Sequence, residues 1–111
     1  MRSGDIVLVD LVQSDGKIKR RPALLLKQMP PFNDWLLCGI STQLHQKVEG
    51  FDILLSSNQS YFQESGLLKA SIIRLGFLAV LPSRQIPGKI GTVPLEVITL
   101  ALERLSLHLK P

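Results

Sequence analysis

Asp5-Ile6-Val7-Leu8-Val9-Asp10-Leu11, then Gln13-Ser14-Asp15-Gly16-Lys17, then Pro22-Ala23-Leu24-Leu25-Leu26-Lys27 is the stretch that decides the fold. The first run is short and rich in β-branched residues, which favours a strand over a helix. The Asp-Gly pair inside a polar stretch reverses the chain. Pro22 lacks an N–H, so it is expected to open the second strand, near Arg21, and not to sit inside its ladder. Working outward, Met29 to Asp34 is a Pro-rich connection, and Trp35-Leu36-Leu37-Cys38-Gly39-Ile40 reads as a buried third strand closed by Ser41-Thr42-Gln43. Leu44 to Gly50 is a polar loop, and Phe51-Asp52-Ile53-Leu54-Leu55 forms a short fourth strand. Ala70 to Leu75 and Phe77 to Leu81 are expected as two further strands divided at Gly76, a position suited to a bulge or sharp bend. Gln85 to Thr92, with Gly88 and Gly91, is a candidate last strand. The period then changes: Ile98, Leu102, Leu105 and Leu109 fall on one helical stripe, and Glu96, Thr99, Glu103, Ser106 and Lys110 on another. Pro94 suits the first turn of that helix. Many short strands followed by one helix imply a mainly β fold, a small barrel or curled sheet with a C-terminal α-helix at its side.

The length of 111 residues fits one domain, residues 1–111, around one core. With 45% apolar and 20% charged residues the chain is expected to fold, and its formal net charge of +4 suits a polyanionic partner. The N-terminus carries Asp5 where a secretory signal needs uninterrupted apolar sequence, and no apolar stretch is long enough to cross a bilayer, so a cytoplasmic protein with no membrane partner is expected. Cys38 is the single cysteine, which rules out an internal disulfide. One Cys, two distant His and scattered carboxylates do not make a zinc site, and no Gly-rich phosphate loop is present, so neither a metal nor another cofactor is expected.

Taken in order, the segments resemble the MazF/PemK toxin family over nearly the whole chain. Gly4 to Leu11 is similar to that family's opening strand, and Arg20-Arg21-Pro22-Ala23-Leu24-Leu25-Leu26 to its Arg-Pro-led second strand. Leu37-Cys38-Gly39-Ile40-Ser41-Thr42-Gln43 resembles the third strand ending in two hydroxyl residues and Gln; Gly66 to Leu78, Lys89-Ile90-Gly91 and the helix resemble the closing half. The resemblance implies an SH3-like β-barrel of the MazF/CcdB-like toxin fold and a homodimer. It also implies metal-independent cleavage of single-stranded RNA, by 2′-hydroxyl attack to a 2′,3′-cyclic phosphate. A cognate antitoxin is implied as partner, with DNA reached only through that antitoxin.

For such chemistry the protein must align the phosphodiester and stabilise its charge. Arg21 matches the family's functional Arg before the strand Pro, and its planar fork of donors fits two nonbridging phosphate oxygens. The plainer alternative is a surface Arg in an ion pair. Ser41 stands where the family commonly has Thr and keeps the hydroxyl; the alternative is a strand-end hydroxyl bonding local backbone, which is the better reading for Thr42. Arg74 matches an Arg that some relatives use beside the scissile phosphate, against a structural ion pair at the barrel edge. Arg21, Ser41 and Arg74 are therefore the candidate catalytic residues. Lys17, Lys19 and Arg20, with Thr42 and Gln43, are the candidate RNA-binding ones, the basic run serving as a rail for the backbone or as a solvated turn.

Two residues after Arg74, where many relatives carry Asp or Glu, this chain has Gly76. Asp15, Glu64 and His45 are the candidate substitutes for the missing acid, and His108 has a weaker claim. Trp35 and Phe32 are candidates either for base stacking or for burial in the core or a dimer seam. Cys38, inside an apolar strand, reads as a packed thiol. Two further functions stay open: a degenerate relative that holds RNA or antitoxin without cutting, and a gyrase inhibitor of the CcdB type, which shares the barrel but lacks the Arg-Pro and hydroxyl-Gln signatures.

Overall fold

A computed structural model describes residues 1–111. It contains strands β1 (Asp5–Val12), β2 (Ile18–Met29), β3 (Asp34–Ser41), β4 (Ile53–Leu55), β5 (Ser71–Leu81) and β6 (Lys89–Thr92), followed by helix α1 (Leu95–Leu109). All neighbouring strands are antiparallel, in the order β4-β5-β3-β2-β1-β6, and form one curled half-barrel sheet. No helix is long and apolar enough to cross a membrane.

Both faces of this sheet are dry at its centre, which is why Leu24-Leu25-Leu26 is continuously apolar instead of alternating. On one face Ile6, Leu24, Cys38, Ile40, Ile73 and Leu75 pack under Val97, Ile98, Ala101 and Leu105 of α1. On the other, Val7, Val9, Ala23, Leu25, Trp35 and Leu37 close on each other and on Phe77. Each large aliphatic side chain buried in this way contributes about 1.5–3 kcal/mol.

The structure corrects three expectations. β2 begins at Ile18, and Pro22 lies inside the strand opposite Leu8. It is tolerated because residues Ile18 to Pro22 pair with β1 alone, the ladder to β3 starting only at Ala23. β5 is one strand through Gly76, not two, although its pairing with β3 is broken there by a bulge. The buried stripe of α1 runs Val97, Ile98, Ala101, Leu105; Leu102 is half-buried and Leu109 is 69% exposed, since the last turn finds no core to cover. Pro94 stands one step before the helix, with extended backbone, and its carbonyl accepts the N–H groups of Val97 and Ile98.

One backbone clasp ties the closing half together. Gly66, at φ +73°, packs against Ile90, and a Cβ there would lie 2.1 Å from the Ile90 carbonyl oxygen. A Cβ on Gly91 would lie 2.1 Å from both the carbonyl carbon and oxygen of Ser65. Only glycine permits two backbones to approach so closely.

Candidate active site

The β2–β3 ladder stops at Ala23 opposite Gly39, while β2 continues on β1 back to Ile18 and β3 continues on β5 to Ser41. The sheet therefore divides at this end into a β1–β2 leaf and a β3–β5–β4 leaf. Side chains alternate along a strand, and residues opposite one another in a ladder share a face. Val9 pairs with Arg21, Ala23 with Gly39, and Gly39 with Arg74. Arg21 and Ser41 lie two residues from Ala23 and Gly39, so Arg21, Ser41 and Arg74 all project from one face, that of the Val7–Val9–Ala23 cluster. Extending the β2–β3 register by two residues sets Arg21 across the divide from Ser41. Lys19, opposite Leu11, shares the same face.

Arg74 owes its surroundings to the bulge. Cys38 pairs with Leu78 but the next residue, Gly39, pairs with Arg74, leaving Leu75, Gly76 and Phe77 unmatched. Three inserted residues reverse the alternation, so Arg74 and Phe77 share a face although they are three apart. The Phe77 ring lies over Gly39, where a Cβ would approach its Cδ2 to 2.8 Å. The Arg74 guanidinium carbon stands 5.8 Å from the centroid of that ring, in cation–π geometry. Val12 at the end of β1, with Gln13 and Ser14 of the β1–β2 loop, closes over Arg74, Gly76 and Phe77 around a cavity of about 340 Å³.

The Arg21 Nε is buried and has no hydrogen-bond partner. A buried guanidinium donor left open is costly, and such an atom points to a missing acceptor. Ser41 is 5% exposed and its Oγ accepts the Gln43 N–H at 3.1 Å, which leaves the hydroxyl proton free to donate. Arg21, Arg74, Lys17 and Lys19 take part in no ion pair; the pairs present are Arg20–Asp10, Lys47–Glu49 and Lys89–Asp5. The ion-pair alternative for Arg21 and Arg74 is thus not the arrangement observed.

Other candidates are not brought to this face. Arg20 points to the opposite side, where it pairs with Asp10 at 3.3 Å. Thr42 lies on that side too, at an apolar cavity of about 490 Å³ whose walls include Leu8, Pro22, Leu67 and Ile90. Trp35 is buried in the core, whereas Phe32 is 81% exposed on the β2–β3 turn. Asp15 accepts the Lys17 N–H at 2.9 Å and belongs to the loop that reaches Arg74; His45 and Glu64 are exposed side chains on 3-10 turns. His108 packs its ring on Phe51, centroids 4.8 Å apart. Cys38 is fully buried, and burial together with the negative charge of Asp52 pushes its thiol well above the ordinary range. No group of three or more His, Cys, Asp or Glu gathers as metal ligands.

Two residues of this region escape a reading of the sequence. Phe77 looks like an ordinary strand residue until the bulge is counted. Asp52 interrupts the apolar run Phe51–Leu55 and is 4% exposed, and a carboxylate at a core-facing position was the available signal.

The curled antiparallel sheet of six strands with one C-terminal helix agrees with the fold that the resemblance implies. No curated protein matches the chain. Residues 2–109 match the family described as PemK-like, MazF-like toxin of type II toxin-antitoxin system. Since that match takes in almost every residue, from ahead of β1 to the end of α1, the chain belongs to the PemK-like, MazF-like toxin family of type II toxin–antitoxin systems.

Proposed function

We propose that the protein is a metal-independent endoribonuclease that cleaves single-stranded RNA and is neutralised by a cognate antitoxin. The observation that carries this reading is the buried, unpartnered Nε of Arg21 on the same face as Ser41 and Arg74. In the reaction the RNA 2′-oxygen attacks the adjacent phosphorus, its proton leaves to a base, and the bond from phosphorus to the 5′-oxygen breaks. The products are a 2′,3′-cyclic phosphate and a 5′-hydroxyl. Arg21 holds the nonbridging oxygens as negative charge builds on them, and the Ser41 hydroxyl donates to the same group. Arg74 donates a hydrogen bond to the departing 5′-oxygen, which takes its proton from water, since a guanidinium neither releases nor accepts a proton near neutral pH. Lys17 and Lys19 extend the positive face along the RNA backbone, and Gln43 follows at the strand end. Arg20, paired with Asp10 on the opposite side, stays outside this face.

The test is cleavage of single-stranded RNA by the antitoxin-free protein in EDTA. Arg21→Ala is expected to lower kcat/KM by about 10²–10³-fold, the usual effect of removing one preorganised donor. Intact RNA across a substrate library containing all short sequence contexts refutes the reading.

A second reading is favoured by one observation, the absence of a carboxylate at Gly76: an RNA- or antitoxin-holding module that does not cut. A Cβ at Gly76 meets only the Phe51 ring, at 3.9 Å, so the backbone there accepts a side chain at its first atom. RNA binding without cutting, with cutting gained in Gly76→Asp, selects this alternative. A cytoplasmic homodimer belongs to either reading, supported by the exposed apolar side chains Leu78 and Val80 on β5 and Leu95, Leu107 and Leu109 on α1.

A further inference from the structure

The buried carboxylate of Asp52 accepts two backbone N–H groups that have no partner in the sheet. Oδ1 takes the N–H of Leu75 at 3.1 Å, and Oδ2 takes the N–H of Val48 at 2.9 Å. Leu75 is the first residue of the β5 bulge, released from the ladder to β3 immediately after Arg74. The segment carrying Asp52 is itself held by α1: Arg104 donates from one Nη to the carbonyl oxygens of Phe51 at 3.0 Å and Asp52 at 2.9 Å. A continuous chain of bonds thus runs from the helix, through Asp52, to the bulge that turns Arg74 and Phe77 to one face.

From this the geometry points to Asp52 as a positioning residue for Arg74, with Arg104 as its anchor on the helix. The inference rests on the ribonuclease reading for its kinetic consequence, but its structural content stands apart from it. The chemistry at position 52 is specific. Two N–H donors approach two different oxygens, and a carboxylate presents an acceptor at each. Asn offers one carbonyl oxygen and one NH₂, so Asp52→Asn necessarily sets a donor against a donor. Glu carries the same acceptors one methylene further out, into the space of the bulge itself. Asp52 touches no reacting atom; it acts by keeping Leu75 off the ladder, which fixes the reversal in alternation between Arg74 and Phe77.

The experiment compares wild type, Asp52→Asn, Arg104→Met and Leu105→Ala, the last a core truncation on the same helix that destabilises without touching the bond chain. Three quantities are read in each folded variant: exchange of the Leu75 amide, the ring-current shift of the Arg74 side-chain signals caused by Phe77, and kcat and KM for RNA cleavage. In Asp52→Asn the Leu75 amide is expected to lose protection and Arg74 its ring-current shift. kcat is then expected to fall about 10–100-fold with KM within about threefold, as for an ångström-scale misplacement of a catalytic group. Arg104→Met moves the same readouts in the same direction and supplies them if Asp52→Asn does not fold. Leu105→Ala is expected to keep the wild-type ring-current shift and kcat. An Arg74 signal unchanged in Asp52→Asn, or in Arg104→Met where that variant stands in for it, overturns the inference, as does equal loss in Leu105→Ala. If wild type cuts no RNA, the ribonuclease reading fails alone, and the amide and ring-current readouts still decide the role of Asp52.

Discussion

Substituting Gly91 by Ala is the sharpest test of the clasp between the Gln63–Ser65 turn and β6. The φ of Gly91 lies outside the left-handed region, so alanine meets no intrinsic backbone penalty and the cost is contact alone. The new Cβ would lie 2.1 Å from the carbonyl carbon and oxygen of Ser65 and 2.5 Å from the carbonyl oxygen of Glu64. These neighbours are backbone atoms, unable to rotate away, and ordinary contact requires the two segments to part by about 1.3 Å. Parting them pulls β6 from β1, where Gly91 faces Ile6. Overpacking of this kind costs about 2–4 kcal/mol, a substantial share of a stability near 5–15 kcal/mol. For a chain of this size that corresponds to roughly 8–20 °C in Tm. Gly88→Ala is the matched control, because a Cβ there meets nothing within 4 Å and φ is likewise not positive; it is expected to leave Tm unchanged or raise it slightly. Urea and thermal unfolding of the three proteins give the comparison. A Gly91→Ala protein melting within about 2 °C of wild type refutes the clasp.

Gly39→Ala brings a Cβ to 2.8 Å from the Phe77 ring, a side chain that can swing, so the fold is expected to survive while Arg74 loses its aromatic neighbour. On the ribonuclease reading, RNA cleavage is expected to fall by about tenfold or more with a Tm loss under roughly 5 °C, and wild-type kcat in this variant argues against the Phe77 ring helping to hold Arg74. Cys38, its thiol held neutral by burial and by Asp52, is expected to resist alkylation in the native state and to react on unfolding. Its folded pKa is raised, so the unfolded chain alone loses this proton above about pH 8.5, and stability drops as pH rises further, by up to about 1.4 kcal/mol per pH unit. Cys38→Ala is less stable at neutral pH but flatter in urea unfolding between pH 8 and 10; parallel slopes for the two proteins remove Cys38 as the source.

Much of the fold is legible in the sequence, because strands β1 and β3 and helix α1 announce themselves locally. β-branched runs, an Asp-Gly reversal and a change of period each need only a few residues to be read. What escapes depends on partners far along the chain. Pro22 reads as a strand opener because nothing local reveals that β1 pairs with β2 for five residues before β3 joins. The buried side of α1 is set by the sheet it covers, so Val97 and Ala101 are buried while Leu109, on the expected stripe, is solvated. The candidate site divides in the same way. Arg21, Ser41 and Arg74 are readable through the family resemblance, since each stands beside a short motif. Phe77 and Asp52 are not, because one depends on counting three residues across a ladder break and the other on two N–H groups four and twenty-three residues away. Arg20, adjacent to Arg21 in the basic run, shows the converse: proximity in sequence sets it on the opposite face of a strand.

The division of the sheet beyond Ala23 and Gly39 places the guanidinium of Arg21 and the pair Ser41–Arg74 on separate leaves, which the remaining β2–β3 ladder joins through backbone hydrogen bonds. The spacing of the two arginines is therefore set by where the β2–β3 ladder stops, and not by the course of one strand alone. The apolar cavity walled by Pro22 on one leaf and by Thr42 and Ser71 on the other opens between the same two leaves, on the face away from the arginines.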